Sequence, residues 1–195
     1  MRLFGALLVG LVVTAGCGGD DESSPATTTA AVATTTVGEP TTTVADAEFT
    51  VVSGAFADGE AIPVQYTCDG DNLRPGLEWS GGPESADNLA IVVDDPDAPG
   101  GTFIHWIAFG FPTSGALEEN AALPEGVTEA PTSVGQPGWI GPCPPSGEHR
   151  YVFHFYAIEG TPDIDPDAAP ADTWDALRAI AVEEVSLTGT YERAT

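Results

Sequence analysis

The chain has 195 residues, of which 30 are acidic and five are basic, and its formal net charge is −25. Nucleic acids and anionic membrane surfaces repel a chain this acidic, so binding to either is not expected. The length suits one domain with additional segments, and a compact part of about 150 residues would bury roughly 70% of the surface that its unfolded chain exposes.

Residues 1–16 are typical of a lipoprotein signal peptide. Arg2 precedes the apolar run Leu3–Val13, which is too short to cross a bilayer as a stable helix. Small residues then lead to Cys17, a pattern that resembles a bacterial lipobox and predicts cleavage before Cys17 and attachment of lipid to its thiol. The alternative is an ordinary secretory signal with a chance cysteine. The lipobox predicts an exported protein, anchored by lipid to the extracytoplasmic face of the cell membrane.

Residues 17–47 form a low-complexity segment that is rich in threonine, alanine and aspartate. They offer too little apolar surface to compensate for the entropy that is lost on ordering. We therefore expect a disordered, flexible tether between the membrane and one domain that covers residues 48–195.

Short apolar runs, separated by turn residues, predict several antiparallel strands in this domain. Residues 113–139 show no sustained period, and we expect a long loop there that is either functional or wrapped on the surface. The predicted strands are Phe49–Ser53, Ile62–Tyr66, Leu77–Trp79, Leu89–Asp94, Phe103–Phe111, Arg150–Ile158 and Val185–Tyr191.

One helix is predicted, at Asp172–Ala181. Asp172 can cap its N-terminus, and an apolar face follows the helical period. That face contains Trp174, Leu177, Ile180 and Ala181. Several antiparallel strands with one late helix predict a mainly β fold, an antiparallel β-sandwich with a peripheral C-terminal helix.

The stretch Asp94–Trp106 reads D-D-P-D-A-P-G-G-T-F-I-H-W and joins two predicted strands. Asp95 and Asp97 flank a proline, which restricts the backbone and removes a donor. We expect both carboxylates on a stiff loop at the end of a sheet, with His105 just inside the next strand. Binding residues are often found on such loops.

A second stretch, Ile140–Tyr156, reads I-G-P-C-P-P-S-G-E-H-R-Y-V-F-H-F-Y. The motif pair D-P-D-A-P…H-W and G-P-C-P-P-x-G…H-R-Y resembles the phosphatidylethanolamine-binding protein family, in particular its bacterial and archaeal branch, often labelled Raf kinase inhibitor-like. Further matching blocks are Tyr66–Asn72, Leu123–Val127 and Leu187–Tyr191. The resemblance extends from about residue 49 to residue 193. It implies a central antiparallel sheet, a second smaller sheet and a peripheral helix.

The resemblance also implies a small anion-binding pocket at one end of the sheet. Imidazole N–H, tyrosine O–H and loop N–H groups are suitable donors for a phosphate or carboxylate. We expect neighbouring carboxylates to raise the pKa of the pocket histidines, so that affinity for a phosphate monoester falls between about pH 6 and 8. The ligand-binding residues that the resemblance implies are Asp95, Asp97, His105, Pro145, His149 and Tyr151.

Two further residues near these motifs are interpreted from their positions alone. Arg150 either joins the anion donors or pairs with an acidic loop, and both possibilities stay open. His154, in the middle of a strand, is expected to be structural. The chain also departs from many relatives at Phe103-Ile104, Phe109–Pro112 and Gly138-Trp139, which predicts a more apolar pocket wall.

Cys68 and Cys143 remain as a pair once Cys17 carries lipid. An even pair in an oxidising compartment predicts a disulfide, and the alternative is two buried free thiols.

The sequence favours a binding protein without catalytic turnover, whose partner is a small anion or a phospholipid headgroup. The alternative is an inhibitor that docks on a protease or another enzyme through the pocket loops. A hydrolase is less favoured, because no G-x-S-x-G motif is present and Ser146 lies in an ordinary turn. A metal site built from Asp97, His105 and His149 is chemically possible, but the resemblance requires neither a metal nor a cofactor.

Overall fold

The computed structural model describes residues 48–194, so the predicted signal peptide, Cys17 and the tether lie outside the described residues. Within this part, two antiparallel sheets are formed, with strand orders β1-β2-β5 and β6-β4-β3-β7-β8. The predicted mainly β fold is confirmed. The elements are β1 Thr50–Ser53, β2 Leu77–Ser80, β3 Asn88–Asp95, β4 Phe103–Phe111, β5 Gly115–Leu117, β6 Thr128–Glu129, β7 Glu148–Ile158, α1 Pro170–Ala179 and β8 Ala181–Glu192.

The larger sheet is covered on both sides. Strand β3 lies at its centre, and alternate side chains of a strand point to opposite faces. Leu89, Ile91 and Val93 point towards the smaller sheet, and we call this side the sandwich face. Ala90 and Val92 point towards α1, and we call this side the helix face. Since both faces are buried, β3 is apolar without alternation, as its sequence indicated.

The predicted strand Ile62–Tyr66 is wrong, because Val64–Tyr66 form a short 3-10 helix. The residues before it follow β8 for a short distance, and the Ile62 N–H donates to the Thr190 carbonyl at 2.7 Å. Pro63 has no N–H, so this pairing cannot continue past it.

Two short strands lie within the segment that was expected to be a loop. Strands β5 and β6 have three and two residues, and they form edges of the smaller and the larger sheet respectively. A strand this short has no detectable sequence period. The long segment is therefore attached to both sheets.

The helix begins and ends two residues earlier than predicted. Pro170 occupies its first turn, where the missing proline N–H costs nothing, and Asp172 lies in that turn instead of capping it. Ile180 and Ala181 lie beyond its end, and Ala181 begins β8, four residues before the predicted start of that strand. No helix among residues 48–194 has the length and apolar character that crossing a membrane requires.

Candidate functional site

A cavity of about 440 Å³ opens at the end of the larger sheet where β3 stops and β4 begins. One wall is the loop from Ala98 to Thr102, and another is the segment from Ile140 to Pro145. The polar and aromatic side chains on its lining are Asp95, Thr102, Phe103, His105 and Ser133, with Cys143 and Pro145 beside them. Three of the six predicted ligand-binding residues, Asp95, His105 and Pro145, are thus on this cavity.

A β-bulge in strand β4 places His105 on the cavity lining. The pairing of β3 with β4 passes from Val93 opposite Trp106 to Asp94 opposite Ile104, so His105 is the extra residue on β4. A bulge of this kind redirects a side chain and ends regular pairing, and it is often found beside binding sites. His105 and Trp106 therefore both contact the sandwich face, although they are consecutive in sequence.

Asp95 is the last residue of β3 and is buried, whereas the sequence placed it on the loop after that strand. Its Oδ2 atom accepts a hydrogen bond from Nδ1 of His149 at 2.7 Å, and its Oδ1 atom accepts one from the Asp97 N–H at 2.8 Å. The His149 and Asp95 side chains are only 7% and 5% exposed. His149 is not on the cavity lining, so it acts on the cavity through Asp95.

The ring of His105 is fixed on several sides. Its Nδ1 atom lies 2.7 Å from the Ile140 carbonyl oxygen, and the Ile140 N–H donates to the His105 carbonyl at 3.1 Å. The ring packs against Phe103 and against the edge of Tyr151, with centroid distances of 4.7 and 5.2 Å. Burial lowers the pKa of His105, and the opposing effects of the Ile140 carbonyl, Asp95 and Asp94 are smaller. The carboxylates act in the expected direction, but burial outweighs them, so the expected net rise in the pKa of His105 is wrong.

Tyr151 lies behind His105 and is fully buried. Its hydroxyl group has no hydrogen-bond partner among the described residues. Burial raises its pKa strongly, Asp95 adds to the shift, and the nearby Cys143 amide opposes it only in part. Tyr151 does not line the cavity, so its hydroxyl is an unsatisfied group one layer deeper.

Arg150 pairs with Asp97, which is the second of its two predicted roles. Its Nε and Nη2 atoms donate to the two carboxylate oxygens at 2.9 and 2.8 Å, and its backbone N–H donates to Oδ2 at 3.0 Å. These bonds lower the pKa of Asp97 to about 2. Neither residue lines the cavity, so Arg150 is not available there as an anion donor.

The sequence did not indicate Ser133, which lies on the cavity lining. Its Oγ atom accepts the Ile104 N–H at 2.8 Å, and its own N–H donates to the Ile104 carbonyl at 3.0 Å. These two bonds leave the hydroxyl hydrogen available to a ligand. An isolated serine in a segment without a period carries no signal from which this position could be predicted.

The predicted disulfide is present, with Cys68 and Cys143 joined and their Cα atoms 5.4 Å apart. The cavity wall formed by residues 140–145 is attached to the Cys68 loop by two hydrogen bonds in addition to the disulfide. The Cys68 N–H donates to the Pro142 carbonyl at 3.0 Å, and the Gly141 N–H donates to Oδ1 of Asn72 at 2.8 Å. A side chain at Gly141 would clash with this asparagine oxygen.

Of the departures from the family pattern, only Phe103 reaches the cavity. Trp139 instead packs in the core, against Trp106 and Phe153. The residues suggested for a metal site are held by different partners, and no group of three or more potential metal ligands is assembled in residues 48–194.

His154 lies on the helix face, away from the cavity. Its Nε2 atom lies 2.9 Å from Oδ1 of Asp94, and its Nδ1 atom lies 2.7 Å from Oε1 of Glu184. The ring is stacked on Tyr156 and tilted against Trp174. Although burial alone lowers its pKa, the hydrogen bonds to Asp94 and Glu184 together raise it above its ordinary value.

Comparison with known proteins agrees with the motifs. The family model described as "Phosphatidylethanolamine-binding protein" matches residues 52–192. A UPF0098 protein of Methanothermobacter thermautotrophicus is 43% identical over 144 residues, which cover 71% of this chain and 95% of that protein. A Mycobacterium tuberculosis protein named "Putative lipoprotein LppC" is 38% identical over 194 residues, which cover 96% of this chain and 92% of the relative.

A solved structure shows the same architecture. The crystal structure of Escherichia coli YbcL, described as a new member of the mammalian PEBP family, aligns with a TM-score of 0.71 at 31% identity. The alignment covers 76% of this chain and all of YbcL. Since the family match, the similar relatives and the shared fold agree, the chain belongs to the phosphatidylethanolamine-binding protein family.

Proposed function

We propose that this protein is an exported, lipid-anchored binding protein whose cavity holds a small anionic group, such as a phosphate or a phospholipid headgroup, without catalytic turnover. The observation that carries the proposal is a set of hydrogen-bonding groups without protein partners at one end of an apolar core. Nε2 of His105 and the Ser133 hydroxyl hydrogen belong to this set on the cavity lining, and the Tyr151 hydroxyl lies one layer deeper. An unsatisfied buried polar group costs about 1–3 kcal/mol. A ligand that binds the buried His105 ring would recover that cost.

The anionic character of the ligand rests on the kinds of groups present. Hydroxyl groups and protonated imidazoles donate hydrogen bonds, and phosphate oxygens accept several at once. The Asp95 carboxylate is already occupied by two donors, from His149 and from the Asp97 backbone. These bonds spread its negative charge and reduce its repulsion of an anion.

Calorimetric titration of phosphoethanolamine tests this proposal. We expect His149→Ala to weaken binding by about 1.5–3 kcal/mol, because the buried Asp95 carboxylate loses its hydrogen-bond partner beside the cavity. Tyr151→Phe should weaken it less. His154→Gln is the matched histidine control on the helix face and should leave the affinity unchanged. Equal affinities for the wild type and His149→Ala would refute the assignment of this cavity.

Lipid anchoring is the second part of the proposal. It is supported by the lipobox-like sequence before Cys17 and by the similarity to a relative named as a lipoprotein over 96% of this chain. Mass spectrometry of the membrane fraction should find a chain that begins at a diacylated Cys17. A soluble protein that retains Met1 would contradict this.

An inhibitor that docks through the cavity loops is the second candidate. One observation favours it, since Val134, next to Ser133, is 58% exposed. An inhibitor would lower the rate of a protease, and Val134→Asp would abolish the effect. Turnover of a generic ester that is lost in His149→Ala would instead show a hydrolase.

A further inference from the structure

The protonation of His105 is constrained by its contacts. A peptide carbonyl only accepts hydrogen bonds, so the 2.7 Å contact with the Ile140 oxygen requires a proton on Nδ1 in every protonation state of the ring. The bulge and the packing against Phe103 and Tyr151 oppose a ring flip. In the neutral ring, Nε2 is therefore an unprotonated acceptor.

With Nδ1 of His105 bound to the Ile140 carbonyl, Nε2 is the ring nitrogen left for a ligand. The ring lines the cavity, and Nε2 has no hydrogen-bond partner among the described residues. A bound anion would place oxygen lone pairs against this nitrogen lone pair, which is repulsive. A proton on Nε2 converts the contact into a charge-assisted hydrogen bond.

The charged groups around His105 do not supply this proton in the free protein. Asp95 and Asp94 on β3 are its charged neighbours, and Asp95 is shared with His149 on β7. Tyr151 packs against the ring, and Arg150 is bound to Asp97. Burial holds the pKa of His105 below its ordinary value, so the ring is neutral near pH 7. An anion in the cavity would favour the charged form of the ring.

Building on the function proposed above, we propose that the cavity takes up its anion together with one proton, which binds Nε2 of His105. The bound pair is then an imidazolium and an anion, which balance each other in a buried site. Affinity should fall with rising pH by up to about tenfold per pH unit, the limit for the uptake of one proton. The cavity also selects its ligand by charge, because a neutral ligand does not stabilise the protonated ring.

Sulfate is the best probe, because it neither gains nor loses a proton near neutral pH, whereas the second ionisation of a phosphate falls near pH 6. Calorimetry at pH 7 in buffers of different ionisation enthalpy measures the protons taken up on binding. We expect about one proton for the wild type. His105→Asn keeps a donor for the Ile140 carbonyl but has no Nε2, and it should take up none. The matched variant His149→Asn keeps a donor for Asp95 and should still take up a proton.

A second measurement needs no variant. The chain has three histidines, and their NMR signals report protonation directly. Sulfate at pH 7 should shift one histidine, the one absent from His105→Asn spectra, towards its protonated position. Binding without proton uptake, or uptake that persists in His105→Asn, would overturn this inference and leave the proposed function standing. Failure of both sulfate and phosphate to bind at any pH would overturn the proposed function and the inference together.

Discussion

Asp94 and Asp95 are adjacent in sequence, yet they bind different histidines on opposite faces of one sheet. Asp95 binds His149 on the sandwich face, and Asp94 binds His154 on the helix face. Alternation along β3 separates the two carboxylates, because consecutive side chains of a strand point to opposite sides. Two neighbouring residues thus each form an aspartate–histidine pair, and the two pairs lie in different environments.

The comparison of His105 with His154 shows what decides the chemistry of a histidine. Both nitrogens of His154 face carboxylates, and since a neutral ring has only one donor, this geometry requires the imidazolium. One nitrogen of His105 faces a carbonyl and the other has no partner. His154 is therefore a structural cation, and His105 is a neutral group that a ligand can protonate. Burial lowers the pKa of both rings, so the partners of the ring nitrogens make the difference.

The largest expected effect concerns the sandwich face. Replacing both Cys68 and Cys143 by alanine should lower the free energy of unfolding by about 4 kcal/mol, because the bridge closes a loop whose ends are 75 residues apart. Urea denaturation measures this loss. Anion binding should weaken as well, since Cys143 lines the cavity, while the His154 NMR signals stay in place. A loss below about 1 kcal/mol would show that the other contacts of this wall suffice.

The next effect concerns the helix face. His154→Ala should cost about 3 kcal/mol of unfolding free energy, because it leaves the buried Asp94 carboxylate without its partner. In a double-mutant cycle, adding Asp94→Asn should recover part of this loss, since the uncompensated charge is removed. Strictly additive losses would mean that the two side chains are not coupled. Sulfate binding should be unchanged in His154→Ala, because His154 lies on the helix face, away from the cavity.

The smallest effect is a pair of opposite pH dependences. The folded pKa of His154 is raised, so its contribution to stability is complete below the unfolded value near 6.5 and is lost as pH rises through the folded value. The folded pKa of His105 is lowered, so its contribution is complete above the unfolded value and is lost as pH falls towards the folded one.

Urea denaturation between about pH 5 and 8.5, without added anion, measures both dependences. The stability difference between wild type and His154→Gln should shrink as pH rises, and that between wild type and His105→Asn should grow. Parallel pH profiles for the two variants would contradict the contrast between the two histidines.

Much of the site was predictable where the signals are local. The motif around Asp95 and His105 and the motif around His149 each join a turn to a strand, and both turns meet at the end of one sheet. The role of Arg150 was not predictable from the sequence. Whether it binds an anion or an acidic loop depends on how strand β7 lies beside the end of strand β3. The loop position expected for Asp95 was wrong, because strand pairing continues one residue beyond the predicted end of the strand at Asp94.

Strand alternation and turn residues were enough to predict the mainly β architecture, and the resemblance of the two motifs indicated the family, since each of these signals depends on residues close together in the chain. Tertiary structure alone decided the bulge at His105, the Ser133 contact, the unsatisfied Tyr151 hydroxyl and the partners of each histidine. The reason is physical. Strand register and burial arise from contacts between distant segments, and they determine which donors and acceptors meet and which charges are stable.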